Sequence, residues 1–277
     1  MSPLEPSSGS SLVLAGERKT VTLPEEWRTK RISVVLPTYN EVDNLPIILE
    51  AILSLPLPNL KVFVVDDNSP DGTGELADRL ARDYSEDGFG RVVVVHRPGK
   101  EGLGRAYVDG MGRALTDGAD YVVQMDSDMS HDPKHIPEML GTLLSTGAGV
   151  VIGSRYVVSG SLDASWGPHR KLLSAWANFY VHLMLGLHVR DVTAGYKLWR
   201  REDLLTMDLP SVQSSGYSFQ VEMNYRALLQ GCKILEVPIH FTERRHGKSK
   251  MALATQLESA LVPLRLRLRR RHVQPGR

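Results

Sequence analysis

Short apolar runs alternate with helix-like segments along the first half of the chain. The runs that read as buried strands are ISVVL, KVFVVDD, RVVVVH, DYVVQMD and AGVVIGSR. The segments between them repeat apolar residues every three or four positions, which is the period of an amphipathic helix. Continuous apolar strands that alternate with helices are typical of a parallel sheet covered on both faces. The pattern therefore predicts an α/β fold with a doubly wound, mostly parallel sheet and helices on both faces.

The second half of the chain is expected to complete the same domain. It contains a loop and an amphipathic helix in SGSLDASWGPHRKLLSAWANFYVHLML, and a turn, a short strand and a helix start in DVTAGYKLWRREDL. A further helix in FQVEMNYRALLQG is predicted to end before Gly231, and KILEVPIHF reads as a strand. We expect a flexible N-terminal arm over residues 1–30, one domain over 31–251, and an amphipathic basic helix and tail over 252–277.

Charge, cysteine content and hydropathy exclude several classes of protein. The formal net charge is only +1, so the whole chain lacks the signature of a polyanion-binding protein. The single cysteine, Cys232, excludes an intrachain disulfide and agrees with a reducing cytoplasm. No window reaches the ~18–20 uninterrupted apolar residues of a membrane span, and the N-terminus lacks the pattern of a signal peptide. We expect a protein that is soluble or peripheral to a membrane.

Polar side chains gather where the predicted strands end, and the most acidic group is QMDSDMSHDP with Asp126, Asp128 and Asp132. Like charges this close repel one another unless a cation or hydrogen bonds compensate. One interpretation is a polar turn that caps the next helix. The other is a site for Mg²⁺ or Mn²⁺, which bind to carboxylates while substrate phosphates complete the octahedron. Zinc is less favoured, because His131 and His135 lack a clear third ligand.

Two other strand-end loops allow both a structural and a functional interpretation. In VVDDNSPDGTGE, the residues Asn68, Ser69 and Asp71 suit a turn and a helix cap, whereas Asp67 could bond a nucleotide base or ribose. GKEGLGRA does not fit the spacing of a dinucleotide-binding fingerprint. We interpret it as a glycine-rich turn, with Lys100 and Arg105 as candidate phosphate contacts.

Basic residues gather near the C-terminus. FTERRHGKSK contains Arg244, Arg245, Lys248 and Lys250, and is either a solvated surface or a lid that binds phosphates. The tail RLRLRRRH is either an exposed helix or a contact with anionic lipid headgroups. Nucleic acid is disfavoured because no platform of aromatic and basic residues accompanies the tail. A serine hydrolase is disfavoured because the chain has no nucleophile elbow.

Taken together and in order, the motifs resemble a known enzyme family. They are VVLPTYNE, VVDDNSPDGT, GLGRAY, MDSDMSHDP, GSRY, DVTAGYKLWRR, YSFQVEM and ERRHGKSK. This series is similar to that of the family 2 inverting glycosyltransferases of the GT-A fold, and more narrowly to the polyprenol-phosphate (dolichol-phosphate) mannose synthases. The resemblance extends over about residues 31–251.

The resemblance implies a role for particular residues. Those implied to bind the nucleotide sugar are Pro37, Tyr39, Glu41, Val65, Asp67, Lys100, Asp126, Arg244 and Lys248. Those implied to be catalytic, around the DXD-like pair and the phosphates, are Asp126, Asp128, Arg155 and Arg170. Those implied to line the sugar and acceptor pocket are Asp191, Thr193 and Glu222. The implied metal ligands are Asp126, Asp128 and Ser130, where Ser130 replaces the glutamine of some relatives.

The resemblance implies transfer of mannose from GDP-mannose to a polyprenyl monophosphate with inversion, assisted by Mg²⁺ or Mn²⁺. The acceptor phosphate is already ionised at neutral pH, so it needs cations to hold it in line more than it needs a general base. Three alternatives stay open at this point. They are a lipid-phosphate transferase that uses UDP-glucose or another nucleotide sugar, a non-catalytic nucleotide-sugar-binding subunit of a membrane complex, and a basic peripheral scaffold.

Membrane attachment is expected to differ from that of relatives with C-terminal membrane helices, since this chain shows none. We expect the segment RKLLSAWANFYVHLMLGL to lie on the bilayer with help from the basic tail, or a separate membrane protein to recruit the enzyme. Both options imply a peripheral location at the cytoplasmic face of a membrane.

Overall fold

The computed structural model describes residues 24–86, 89–163, 167–214, 216–242 and 261–268. The strands are β1 (Ile32–Thr38), β2 (Leu60–Asp66), β3 (Ser85–Glu86), β4 (Phe89–Gly90), β5 (Val92–His96), β6 (Tyr121–Gln124), β7 (Val150–Ser154), β8 (Ser161–Leu162), β9 (Lys197–Arg200), β10 (Ile234–Pro238) and β11 (His240–Phe241). The α-helices are α1 (Glu25–Arg28), α2 (Leu45–Leu53), α3 (Thr73–Asp83), α4 (Leu103–Thr116), α5 (Ile136–Thr146), α6 (Pro168–Leu185), α7 (Arg201–Leu205) and α8 (Gly216–Leu229). Short 3₁₀ turns cover Pro133–His135 and Leu209–Ser211, and residues 261–268 are helical.

A seven-stranded sheet organises the domain, with the order β10-β7-β9-β6-β1-β2-β5. Strand β9 runs antiparallel to its neighbours β6 and β7, and the other neighbouring strands are parallel. The chain moves outward from β1 to β2 and β5, then returns to place β6 on the other side of β1. Ligands bind beyond the carboxyl ends of the strands at such a reversal of strand order. The acidic loop after β6 and the loop after β1 therefore meet at this point.

Two hydrophobic clusters cover the two faces of the sheet, because successive side chains of a strand point in opposite directions. Val34 and Leu36 belong to the cluster that packs against α2 and α5, whereas Val35 belongs to the cluster with α4 and α8. Helix α4 lies close to the sheet at Gly110, where an added Cβ would be only 2.8 Å from Cγ2 of Val65. Because Gly110 has no side chain, α4 can pack closely on the sheet, and its first turns lie over the ends of β1 and β6.

The predicted fold is confirmed, and the second half of the chain contributes to its sheet. Strands β9 and β10 of that half join it. Gly231 follows the end of α8 with a φ of +71°, as predicted for the residue just past a helix. No helix among the described residues has the length and apolarity needed to cross a bilayer.

The predicted domain boundaries stay predictions, because most of both termini falls outside the described residues. Within the described part, α1 lies inside the expected N-terminal arm, and the Trp27 side chain packs over Gly141 of α5. Within the predicted C-terminal helix and tail, only residues 261–268 are described, and they are helical.

Candidate active site

The loops after β1 and β2 are joined by hydrogen bonds from backbone amides to side chains. The Glu41 N–H donates to Thr73 Oγ1 at 3.0 Å, and the Val42 N–H donates to Asp71 Oδ2 at 3.2 Å. Asp71 Oδ1 also accepts from the Thr73 N–H and hydroxyl, at 3.0 and 2.5 Å. The N-cap of α3 is Gly72, whereas Asp71 forms the turn before it, as the turn interpretation holds. Its carboxylate fixes the start of α3 and the shape of the neighbouring loop.

Asp67 is paired with a buried arginine that the sequence analysis missed, and this arginine also binds two half-exposed carboxylates. The Arg97 side chain is only 4% exposed, and its guanidinium donates to Asp67. It also donates to Asp109 Oδ2 through Nε and to Glu101 Oε2 through Nη2, both at 2.7 Å. Burial raises the pKa of Asp67, while the hydrogen bond and charge of Arg97 oppose this increase. Arg97 thus holds Asp67 in place and ties the loop after β5 to α4.

Tyr39 and Lys100 form the outer part of the same end of the site. Lys100 Nζ lies 3.7 Å from the centre of the Tyr39 ring, a cation–π contact. The charge of Lys100 also acts on the pKa of Asp67. Tyr39, Asp67 and Lys100, three predicted nucleotide-binding residues, therefore lie close together. The Val65 side chain is buried in the core beneath α4, and its role in nucleotide binding stays a prediction. Pro37 is also buried, and its carbonyl accepts from Ser127 Oγ at 2.8 Å.

Asp126 is fixed by two contacts that the sequence analysis did not anticipate. Its Oδ1 accepts from the Tyr107 hydroxyl of α4 at 2.6 Å, and its backbone N–H donates to His131 Nδ1 at 3.1 Å. Burial raises the pKa of Tyr107 well above its ordinary value, and the charge of Asp126 adds to the effect, so the phenol stays a donor. Burial lowers the pKa of His131 although Asp126 opposes this. Because Nδ1 accepts, the proton of the neutral imidazole is on Nε2.

Asp128 and Ser130 form a tight turn beside Asp126. The Ser130 N–H donates to Asp128 Oδ1 at 3.1 Å, across Met129 with a φ of +66°. Ser130 Oγ is buried and has no hydrogen-bond partner within the described part of the chain. On the other side, Asp126 Oδ2 lies against Gly195, where an added Cβ would be 3.3 Å from that oxygen. The turn is therefore rich in oxygen donors, and one of them is unsatisfied.

These donors fit a hard divalent cation better than zinc. Within the described ranges, no group of three or more His, Cys, Asp or Glu side chains is arranged to hold a metal. His131 uses Nδ1 as an acceptor for a backbone amide, and His135 Nδ1 contacts Glu138 Oε2 at 3.3 Å. Mg²⁺ and Mn²⁺ typically take one or two carboxylates and complete their shell with waters and substrate phosphates. Such a shell needs no third charged protein ligand.

Arg155, Asp191 and Thr193, to which the resemblance gives separate roles, form a second group. Arg155 donates to Asp191 Oδ2 through Nε at 2.7 Å and to Asp191 Oδ1 through Nη2 at 2.6 Å. Nη2 also donates to Thr193 Oγ1 at 2.9 Å. Asp191 is fully buried, so this bidentate pair is shielded from water. We call Arg155, Asp191 and Thr193 the arginine group.

His131 is close to both the acidic pair and the arginine group. The charges of Asp126, Asp128, Arg155 and Asp191 all act on the pKa of its ring. The ring stacks on Tyr196, with 5.0 Å between centroids. Four of the predicted site residues are therefore brought together at the carboxyl ends of β6 and β7.

Glu222 belongs to a different cluster. Its Oε1 accepts from Arg226 Nε at 3.0 Å and Nη2 at 2.7 Å, and its Oε2 accepts from the Ser214 N–H at 3.0 Å. Its carboxylate therefore joins α8 to the segment before it, and a role in the acceptor pocket stays a prediction. The Arg170 side chain, Arg244 and Lys248 lie outside the described part, so their predicted phosphate contacts also stay predictions.

A buried polar network supports the site from below, and the sequence analysis did not predict it. Lys197 of β9 is fully buried and donates to Gln220 Oε1 at 2.9 Å. The same oxygen accepts from Gln124 Nε2 at 2.6 Å, and that amide also donates to the Gly195 carbonyl at 3.0 Å. The network thus connects β6, β9 and α8 directly behind Asp126. The sequence signal that could have indicated this network is Lys197, a charged residue inside the apolar strand KLW.

The comparisons with known proteins agree with this architecture. The family model described as glycosyl transferase family 2 matches residues 33–206. A polyprenol monophosphomannose synthase of Mycolicibacterium smegmatis is 44% identical over 238 residues, which cover 86% of this chain and 86% of that protein. An undecaprenyl-phosphate mannosyltransferase of Micrococcus luteus is 44% identical over 223 residues, or 80% of this chain and 88% of that protein.

A solved structure shows the same fold at much lower sequence similarity. Glucosyl-3-phosphoglycerate synthase of Mycobacterium tuberculosis, in complex with Mn²⁺, UDP-glucose and glycerol 3-phosphate, has a TM-score of 0.61 at 20% identity. The match covers 90% of this chain and 82% of that one. The resemblance inferred from the motifs is confirmed, and the chain belongs to glycosyl transferase family 2.

Proposed function

We propose that this glycosyltransferase moves mannose from GDP-mannose to a polyprenyl monophosphate with inversion, and releases polyprenyl-phosphate mannose and GDP. The observation that carries the proposal is the convergence of Asp126, Asp128 and the arginine group around His131. Carboxylates beside a buried guanidinium suit a reaction in which one phosphate leaves a sugar and another attacks it. The names of the two relatives at 44% identity support mannose as the sugar and a polyprenyl phosphate as the acceptor.

The Tyr39–Asp67–Lys100 end of the site is proposed to bind the nucleoside of the donor. The Tyr39 ring offers an aromatic face, Asp67 a carboxylate acceptor, and Lys100 a cation. A guanine edge presents both N–H donors and acceptor oxygen and nitrogen atoms, so it can bond to a carboxylate and a cation together. A uracil edge also carries one N–H between two oxygens, which makes UDP-glucose the alternative donor to test.

Asp126, Asp128 and Ser130 are proposed to hold Mg²⁺ or Mn²⁺ together with the donor diphosphate. The buried, unsatisfied Ser130 Oγ supports this assignment, either as a direct ligand or through a bound water. When bound, the cation supplies positive charge that stabilises the departing nucleoside diphosphate. The solved neighbour is a complex with Mn²⁺, which supports a divalent cation in a protein of this fold.

The chain's own residues are proposed to align the two phosphates. Arg155 is held rigidly by Asp191 and Thr193, which lowers the entropy lost when it binds a phosphate oxygen. A polyprenyl phosphate is ionised at neutral pH and attacks without transferring a proton to a base. His131 is therefore assigned a positioning role, in which its Nδ1 fixes the backbone at Asp126.

An exposed apolar face is proposed to hold the enzyme at the cytoplasmic face of a membrane. On α6, the apolar side chains that are more than half exposed are Leu173, Trp176, Phe179 and Leu183. The helix over residues 261–268 adds Leu261, Leu264 and Leu268, together with Arg265 and Arg267. Arg267 Nη1 donates to the Met184 carbonyl at 3.2 Å, so this helix contacts the end of α6. Apolar side chains bordered by arginines suit anionic lipid.

Flotation with anionic liposomes tests this membrane assignment. Trp176→Glu should reduce the fraction that floats, because it introduces a charge into the apolar face. Leu205→Glu is the matched control, since Leu205 on α7 is 56% exposed, as Trp176 is. If the wild type fails to float, direct lipid contact is excluded and a recruiting membrane protein becomes the explanation. If the wild type floats and both variants float like it, the apolar face of α6 is excluded as the lipid contact.

A transfer assay tests the function itself. The purified protein is mixed with a short-chain polyprenyl phosphate, Mg²⁺ or Mn²⁺, and labelled GDP-mannose or labelled UDP-glucose. Label should enter the organic phase from GDP-mannose, and Asp128→Ala should abolish this while the exposed helix-end variant Asp83→Ala should not. Label from UDP-glucose alone would correct the donor. Nucleotide-sugar binding without transfer, even with membranes added, would favour a non-catalytic subunit.

A further inference from the structure

The inner side of α6 contacts the loop that carries the arginine group. Asn178 Oδ1 of α6 accepts from the Val192 N–H at 2.9 Å. From α8, Asn224 Nδ2 donates to the Val192 carbonyl at 3.0 Å. The backbone of Val192 is therefore held at both polar groups by side chains of two different helices.

Val192 lies between the two residues that bind Arg155. Asp191 and Thr193 contribute every hydrogen bond of Arg155 described above. A displacement of the Val192 backbone would move both partners of the guanidinium together, because they are its chain neighbours. The Asn178 bond is therefore a constraint on the position of Arg155.

A second contact joins α6 to the other side of Arg155. The Tyr156 hydroxyl donates to Ser174 Oγ of α6 at 2.7 Å, and Tyr156 follows Arg155 directly in the chain. Asn178 Nδ2 donates to the Ser174 carbonyl at 2.9 Å, so the two contacts of α6 are themselves connected. The outer side of the same helix carries Trp176 and Phe179, which are exposed.

We propose that Asn178 and Ser174 are positioning residues that couple α6 to the arginine group and so control the use of the lipid phosphate. The inference rests on the proposed function, in which Arg155 aligns the acceptor phosphate. The inference goes further because it assigns a different function to each side of α6. The exposed side contacts the acceptor's lipid environment, and the inner side transmits the helix position to the guanidinium that meets the phosphate.

Steady-state kinetics with both substrates tests the coupling at Asn178. Asn178→Ala should raise the KM for a short-chain polyprenyl phosphate by about threefold to tenfold, the effect of one net hydrogen bond. The Kd for GDP-mannose, measured by calorimetry, should change less than twofold. The hydrogen bonds described between α6 and the loop of the arginine group do not include Tyr39, Asp67 or Lys100. Asn59→Ala is the matched control, since Asn59 Nδ2 donates to the Arg28 carbonyl at 2.8 Å, before β2 and away from the carboxyl ends of the strands.

A double-mutant cycle tests the second contact independently of Asn178. Tyr156→Phe and Ser174→Ala each remove the same hydrogen bond, so the double variant should raise the acceptor KM no more than either single variant. Thermal unfolding of each variant identifies the folded fraction, and kinetics are compared only per folded enzyme. A purely structural role would lower stability and kcat without a selective change in acceptor KM.

The possible results separate the coupling from the function on which it rests. If the wild type transfers no sugar, the proposed function fails, and the acceptor role of Arg155 fails with it. If the wild type transfers mannose but Asn178→Ala and Ser174→Ala match Asn59→Ala, the coupling alone is overturned. A decrease in donor affinity as large as the increase in acceptor KM would also overturn it, because the two together would indicate general disorder of the site.

Discussion

Tyr107→Phe removes a single oxygen atom from the site and leaves its packing in place. The Tyr107 ring is fully buried and stacks on Phe219 with 5.6 Å between centroids and an interplanar angle of 6°. Phenylalanine keeps this stack. The only hydrogen bond that is lost is the 2.6 Å bond from the hydroxyl to Asp126 Oδ1. The variant therefore isolates the contribution of that bond to the orientation of Asp126.

The size of the effect follows from the kind of bond that is removed. A hydrogen bond to a charged group contributes about 1.5–3 kcal/mol. If the whole amount is needed in the transition state, kcat should fall by roughly tenfold to 150-fold. Asp126 is only partly buried, so water can replace some of the lost bond, and we expect a decrease near the lower limit. The concentration of Mg²⁺ or Mn²⁺ required for half-maximal rate should rise in the same variant.

Initial rates of mannosyl transfer at saturating donor and acceptor, measured over a range of metal concentrations, provide the test. Tyr196→Phe is the matched control, because Tyr196 is equally buried and its hydroxyl donates at 3.1 Å to the backbone carbonyl of Asp132. Both variants should lose some stability towards urea. Only Tyr107→Phe should change the metal dependence.

Two results would refute the reasoning. If kcat and the half-saturating metal concentration of Tyr107→Phe both stay within twofold of the wild type, the hydroxyl does not orient a functional Asp126. If Tyr196→Phe loses as much activity as Tyr107→Phe, the loss reflects general loosening of the buried core and not the bond to Asp126.

Three further substitutions test the core and the buried charges. Arg97→Met removes the cation shared by three carboxylates, and should lower the free energy of unfolding by about 3–5 kcal/mol and raise the KM for GDP-mannose. Gly110→Ala should lower that free energy by about 1–2 kcal/mol in urea titrations, because its Cβ would overlap Val65, whereas Gly112→Ala, with no atom within 4 Å, should not. Burial lowers the pKa of Lys197 from 10.5 to about 7. At pH values between these two, the Lys197 side chain is protonated in the unfolded chain but not in the folded protein, so stability should rise with pH across that range. Lys197→Met should remove this slope in urea unfolding at pH 7 and 9, and an unchanged slope would contradict it.

The strands and the loops that follow them could be predicted from the sequence for a physical reason. A strand covered on both faces has no solvent side, so it reads as an unbroken apolar run such as ISVVL, and β1 is buried at every position. The polar residues after each run mark the strand ends. Because parallel strands end at the same edge of the sheet, the meeting of Asp126 and Asp128 with Arg155 and Asp191 was predictable in outline.

The partners of each side chain were much less predictable, because they depend on how helices dock onto the sheet. Arg97 binds to Asp67, 30 positions away in the chain, and no periodic signal relates them. Tyr107 was part of a recognised motif, but its bond to Asp126 exists only because α4 lies over β6. The sequence also does not indicate that β9 lies between β6 and β7 in the sheet, since β9 comes after both in the chain.

The proposed donor end and the proposed acceptor end of the site are both held by helix α8. Phe219 stacks on Tyr107, which fixes Asp126. One and a half turns later on the same helix, Asn224 holds the Val192 carbonyl and with it the loop of the arginine group. A disturbance of α8 should therefore impair donor and acceptor use together, whereas the described contacts of α6 lead to the loop of the arginine group. Because the described contacts of α6 lead to the arginine group, we expect contact with a lipid surface to change acceptor use more than the binding of the nucleotide sugar.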